Sequence, residues 1–193
     1  MRRLLQRVHL SLVLLALFMS PQLCAHRLVI GKPLPHVVVA DRGELIYQNN
    51  QFSYKFWESS RLKGKISLIL HIAARTSATE ANAGLIESIK SASLPRKYYQ
   101  TITIVNQSDA MFGSGLLARN WIENNKRMAA ESSFVLDTGG MVRKAWRLRP
   151  KTSTIAVLDA RGHLGYIKEG ALTLKEIEDV VHLLHRLIPG GES

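Results

Sequence analysis

Hydrophobic and polar positions fall in blocks along the chain, and the blocks predict its elements. The run from Ile66 to Ala74 is apolar, with Gly64 before it and Arg75-Thr76-Ser77 after it. Its length suits a strand buried on both faces rather than a helix. Thr101 to Asn106 is a second such strand, and Phe134-Val135-Leu136 is a third, stopped by Asp137-Thr138-Gly139-Gly140. Thr154 to Leu158 is a fourth, turning at Asp159-Ala160-Arg161-Gly162 into Leu164 to Ile167 as its hairpin partner. Helical spacing lies between these strands. Thr76 or Ser77 caps a helix to about Ser91, with Glu80 in capping-box position and Leu85, Ile86 and Ile89 on its apolar face. Gly113 to Met128 predicts a helix with Leu116, Leu117, Trp121 and Ile122 at core spacing. Thr173 caps a last helix, with Glu176 in box position and Ile177, Val180, Val181, Leu184 and Leu187 as its stripe.

Earlier in the chain, the prolines of Gly31-Lys32-Pro33-Leu34-Pro35 fix an extended segment. Val37-Val38-Val39 and Leu45-Ile46-Tyr47 predict a hairpin across the turn-forming Asp41-Arg42-Gly43-Glu44. Gln48 to Ser60, with Phe52, Tyr54, Phe56 and Trp57, reads as a loop and short strand capping the core. Buried strands alternating with amphipathic helices predict one α/β sandwich domain without repeats or linkers.

The first 25 residues follow another logic. Arg2, Arg3 and Arg7 precede an apolar run from Val8 to Met19, and no acid occurs in the first 40 residues. About a dozen apolar residues is too short to span roughly 30 Å of hydrocarbon as a helix. The order of charge, apolar core and small residue is that of a secretory signal peptide, cleaved after Ala25 to leave residues 26–193 as the domain. The only cysteine, Cys24, leaves with it, and the net charge falls from +11 to 11 − 3 = +8.

Composition narrows the chemistry. Apolar residues are 46% and charged residues 21% of 193, which excludes a disordered chain, a collagen-like fibre and a coiled coil. One cysteine excludes a disulfide scaffold and cysteine-rich zinc or iron–sulfur sites. An exported chain without a thiol does no cysteine redox or nucleophile chemistry. The basic group Arg143, Lys144, Arg147, Arg149 and Lys151, interleaved with Trp146, could meet nucleic acid by charge alone. Export favours an anionic envelope surface or an acidic partner protein over nucleic acid, and a plain solvated face is the default reading. No motif calls for a cofactor.

Several phrases resemble known proteins. The passage from Gly64-Lys65 to Ala73-Ala74-Arg75-Thr76 is similar to the segment leading into the active-site helix of thioredoxin-like and peroxiredoxin-like proteins. Phe134-Val135-Leu136-Asp137 with Gly140, and Val157-Leu158-Asp159 with Gly162, resemble the late strand-and-turn phrases of that fold. More closely, the phrases Asp41-Arg42-Gly43-Glu44-Leu45, Asn50 to Lys55, His71-Ile72-Ala73, Arg75-Thr76-Ser77-Ala78, Thr103 to Asn106 and Gly113-Ser114-Gly115 resemble the YtfJ family of periplasmic proteins. The resemblance implies a thioredoxin-like three-layer sandwich with a mixed central sheet, an N-terminal hairpin and a C-terminal helix, in the periplasm, with no established activity. Where redox members carry two cysteines this chain reads Thr76-Ser77-Ala78-Thr79, and a hydroxyl has no thiolate-like form for disulfide exchange. No proline stands between Lys151 and Asp159, where those enzymes place a cis-proline. Neither thiol–disulfide oxidoreductase nor peroxidase activity is expected.

The remaining candidates are non-redox. Arg75, Thr76 and Ser77 at a helix start suit a small anion, against the plainer reading that the hydroxyls only cap the helix. His71 inside an apolar strand suits a buried, hydrogen-bonded core residue better than a catalyst. The rival to a binding module is a non-redox enzyme using Thr76, Ser77, Arg75 and His71 on an anionic substrate. Gly113-Ser114-Gly115 lacks a phosphate-loop continuation, and a triad of Ser114 with His71 or His163 and Asp109, Asp137 or Asp159 lacks a nucleophile elbow. Asp137 and Asp159 read as turn residues. Finally, cleavage after Ala25 would free the His26 amine beside its imidazole. With His36, His71 or His163 that pair would make a three-nitrogen copper site.

Overall fold

The computed structural model describes residues 28–110 and 115–190. Its strands are β1 (Val38–Gln48), β2 (Gln51–Glu58), β3 (Ile66–Ala73), β4 (Tyr99–Asn106), β5 (Ser133–Asp137), β6 (Ser153–Leu158) and β7 (Leu164–Glu169). Its α-helices, among the described residues, are α1 (Thr76–Glu80), α2 (Ala83–Ser91), α3 (Gly115–Met128), α4 (Met141–Trp146) and α5 (Leu174–Leu187). The strands form one mixed sheet in the order β2-β1-β5-β4-β3-β6-β7. β3, β4 and β5 run parallel at its centre, and every residue of β3 is buried. This is why β3 reads as an unbroken apolar run: both of its faces are covered.

Two layers of helix cover the sheet. On one face α4 brings Val142 and Trp146 against Trp57, Ile69, Ile104 and Val135. On the other, α2 and α5 pack over β3 and β6 through Leu85, Val180 and Leu184, while α3 sets Ile122 against Leu45, Val105 and Phe134. The Lys126 ammonium closes the end of α3, donating to the carbonyls of Ala130 (2.6 Å) and Ser132 (2.7 Å). The cap of α5 is as expected: Thr173 accepts from the Glu176 N–H and Glu176 reaches back to the Thr173 N–H. Gly31 and Lys32 lie beside the outer edge of β7, with the Gly31 N–H donating to the Leu164 carbonyl and the Leu164 N–H to that of Lys32.

Five expectations need correction. The Asp41–Glu44 stretch is not a hairpin turn but a bulge inside one long strand, β1, marked by a register shift between Val39 and Glu44. Gly43 sits there at φ +78°, where a Cβ would run into the backbone of Lys55 and Phe56. The real turn is Asn49-Asn50, with φ +50° and +59°, and the expected loop and short strand is mostly strand, the eight residues of β2. The helix expected to reach Ser91 breaks at Ala81-Asn82. The Asn82 side chain is buried and donates to the Ala78 carbonyl (2.7 Å), so it competes with the helical ladder. Leu116 and Leu117 are exposed rather than core, and only Trp121 and Ile122 of that set turn inward. Ser77 is the second residue of α1 and therefore not its cap.

Candidate functional site

The parallel strands end together at Ala73, Asn106 and Asp137, the edge outside which open parallel sheets hold their ligands. Asn106 organises this edge. Its Oδ1 accepts from the N–H and hydroxyl of Ser108 (3.0 and 2.7 Å), tightening a short 3-10 turn over Gln107–Asp109. Its Nδ2 donates to Asp109 Oδ2 (3.0 Å), and the Lys151 N–H reaches the same oxygen (2.9 Å). Two guanidinium groups complete the cluster. Arg75 Nε donates to the Asp109 carbonyl (2.8 Å), and Arg143 Nε, from α4, lies 3.6 Å from Asp109 Oδ1. The turn after β3, the end of β4, α4 and the approach to β6 thus meet at one nearly buried residue, Asp109. Two cations against one anion leave the cluster net positive.

His71 lies behind this edge on β3, directly opposite Thr154 of β6, so the two side chains share a face. Both are buried, and neither the His71 ring nitrogens nor Thr154 Oγ1 make a hydrogen bond within the described residues. Loss of water pushes the His71 imidazole down to about 4; the Asp109 charge opposes this shift and Arg143 adds to it. The ring is neutral at pH 7. Burial of His71 was expected; the hydrogen-bonded state was not what the fold provides.

The predicted site residues separate into three groups. Arg75 sits within the Asp109 cluster, Ser77 is exposed, and Thr76 opens α1, a helix of five residues. The proposed enzyme set is not assembled around one open surface, since His71 is buried and Ser77 faces solvent. His163 and Asp159 stand at the opposite edge of the sheet, 3.7 Å apart, where Asp159 accepts from the N–H groups of Arg161 and His163. Asp137 accepts from the N–H groups of Met141 and Val142 (2.9 Å each) and so tethers the start of α4. Burial raises its carboxyl above the usual range, against those two bonds. Both aspartates therefore serve turns, as expected. Ser114 and His26 lie outside the described residues. Of the histidines paired with His26 in the copper reading, His36 is 3.6 Å from Glu58 and His71 is buried. No three His, Cys, Asp or Glu side chains among the described residues are grouped to hold a metal. Trp146 is core, donating to the Pro35 carbonyl (2.9 Å), so it offers no stacking surface within the basic group. Asp109 and Arg143 were visible only as a possible triad acid and a surface charge. The available signal was the Asn106-x-x-Asp109 spacing immediately after a buried strand.

The comparisons agree with this architecture. A relative from Escherichia coli (strain K12), "Uncharacterized protein YtfJ", is 45% identical over 177 residues, covering 92% of this chain and 96% of the relative. An "Uncharacterized protein" of Haemophilus influenzae is 36% identical over 163 residues, covering 84% and 89%. Among solved structures, a thioredoxin-like superfamily protein matches with TM-score 0.56 at 11% identity, covering 84% of this chain and 99% of that one. Reduced 2-Cys peroxiredoxin from Plasmodium vivax matches with TM-score 0.52 at 12% identity, covering 81% and 96%. The fold is therefore thioredoxin-like, on a chain with a single cysteine at position 24. No helix among the described residues is long and apolar enough to cross a membrane. Residues 28–187 match the family described as "Bacterial protein of unknown function (YtfJ_HI0045)", and the chain belongs to that family.

Proposed function

We propose that this is a periplasmic, redox-inactive thioredoxin-like protein that binds a small anion at the edge formed by Arg75, Thr76 and Ser77, with Arg143 as an added cation. The observation that carries the reading is the convergence of two guanidinium groups on Asp109 at the carboxyl ends of β3 and β4, Arg75 on its backbone carbonyl and Arg143 beside its carboxylate. A net positive, partly buried cluster at this edge favours an anion over a cation. Redox inactivity follows from the threonines at both expected sulfur positions and from cleavage of Cys24 with the signal peptide. The short α1 contributes little by itself, so the guanidinium groups supply most of the attraction.

The test is thermal unfolding of the processed protein with added phosphate. At ten times the dissociation constant a bound anion stabilises by about 1.4 kcal/mol, or roughly 3–6 °C for a domain of this size. Arg75→Ala with Arg143→Ala abolishes the shift. Equal shifts in both forms overturn the site. Mass spectrometry of the periplasmic form reads a chain starting at His26, and turnover of a disulfide substrate with a thiol donor stays at the no-enzyme background.

A further inference from the structure

α2 leans on α5, with Gly84 close enough that a Cβ would lie 3.3 Å from Ile177, whereas α3 packs over β1 and β5. The two helices diverge over the centre of the sheet. Between them lies a cavity of about 620 Å³, within the size range of small-ligand sites. Its floor is the central strand β4, and the Trp121 and Phe134 rings, edge to face at 6.5 Å, form one wall. Leu70, Ile86 and Ile89 form the other.

Two properties of the lining specify an occupant. First, part of the polar floor is self-paired: the Tyr99 hydroxyl and Thr101 Oγ1 bond each other at 2.7 Å, so hydrocarbon lying on that pair breaks no hydrogen bond. Second, charge is concentrated at one end. Lys65, Lys90 and Arg96 face the cavity against one carboxylate, Glu131. Lys65 Nζ donates to the Arg96 carbonyl (2.7 Å), and Arg96 pairs with Glu131 (2.7 Å) across the mouth. Lys65 and Arg96 precede β3 and β4, so this mouth opens at the sheet edge opposite Asp109. We propose that the cavity between α2 and α3 binds an amphiphile of the long-chain carboxylate class, its tail along β4 against Trp121 and Phe134 and its head at Lys65 and Arg96. The anionic head replaces part of the Arg96–Glu131 pairing, and the tail covers the half-buried side chains of Ile86, Ile89 and Trp121. This site is independent of the anion site proposed above.

Calorimetric titration of the processed protein with sodium dodecanoate, below its micelle concentration, tests the idea. Saturable one-to-one binding is expected, with a matching change in tryptophan emission, because Trp121 lines the cavity while Trp57 and Trp146 are buried on the other face. Dodecyltrimethylammonium, with the same tail and a cationic head, binds at least tenfold more weakly. Lys65→Ala with Arg96→Ala costs dodecanoate at least tenfold, and Ala129→Phe, which fills the mouth, removes binding. Absence of saturable heat, equal binding of the two surfactants, or undiminished binding by Ala129→Phe each overturns the proposal. If Ala129→Phe does not fold, the charge variant and the surfactant pair decide it.

Discussion

On the face of the sheet covered by α4, two buried tryptophans, Trp57 and Trp146, close the core, and His71, Thr154 and Arg143 Nε are left there without hydrogen bonds. On the opposite face, α2 and α3 stand apart, and β4 presents Tyr99, Thr101 and Thr103 to a cavity, with the first two bonded to each other. Polar atoms without a hydrogen bond also occur on the open side, at the Tyr54 hydroxyl and Asn82 Oδ1, but the strand floor of the cavity carries a self-paired couple. Packing and polar satisfaction are thus separate properties: closing a face against water does not by itself give its buried polar groups partners. The filled face holds a group that titrates badly; the open face holds space that a ligand can enter.

The largest expected break in this contrast comes from Trp146→Ala. It opens a cavity among Ile104, Val135 and Val142 and removes the bond to the Pro35 carbonyl. The loss is about 3–5 kcal/mol, read by denaturant unfolding. Thr103→Val on the open face should change stability by less than about 1 kcal/mol, since surroundings that are not tightly closed tolerate it.

A second prediction uses pH. The folded pKa of His71 is about 4 against 6.5 unfolded, so between those values the unfolded chain binds the extra proton. The stability associated with the neutral imidazole is complete above pH 6.5 and is lost as pH falls toward 4. This amounts to roughly 3 kcal/mol. His71→Leu should flatten that part of the stability curve and raise the melting temperature most near pH 4–5. An unchanged acid limb would mean that the ring is hydrogen-bonded in solution.

The smallest effect sharpens the comparison within the open face. Thr173→Ala removes a complete capping box from α5 and costs about 1 kcal/mol. Ser77→Ala, inside α1, should cost a few tenths by thermal unfolding.

These contrasts also explain what was legible in the sequence. β3 and α5 could be read directly because local pattern and tertiary role coincide: both faces of β3 are covered, and the stripe and cap of α5 are local. The bulge in β1 could not, because Asp41-Arg42-Gly43-Glu44 has turn chemistry whether the chain reverses or only kinks, and the backbone of Lys55 decides. Leu116 and Leu117 had helical spacing, but the axis of α3 turns them outward. α4 has only six residues and reads as a basic run, because its burial rests on Val142 and Trp146 alone. The Asp109 cluster escaped for a related reason. It draws Arg75, Arg143 and Lys151 from separate segments, and only the crossover order of the sheet brings them together.

The two bonds from Gly31 and Lys32 to Leu164 bear on solubility. β7 is an outermost strand, and an outermost strand displays unpaired N–H and carbonyl groups that another molecule can extend into an intermolecular sheet. Here the chain's own leading segment occupies the first rung, and the Pro33–His163 bridge ends on a residue with no amide hydrogen. At that position proline offers no N–H to a further strand. Farther along, Lys168 and Glu169 place charge on the remaining edge, with Lys168 held by Glu176. The extended proline segment acts as a guard against edge-to-edge aggregation.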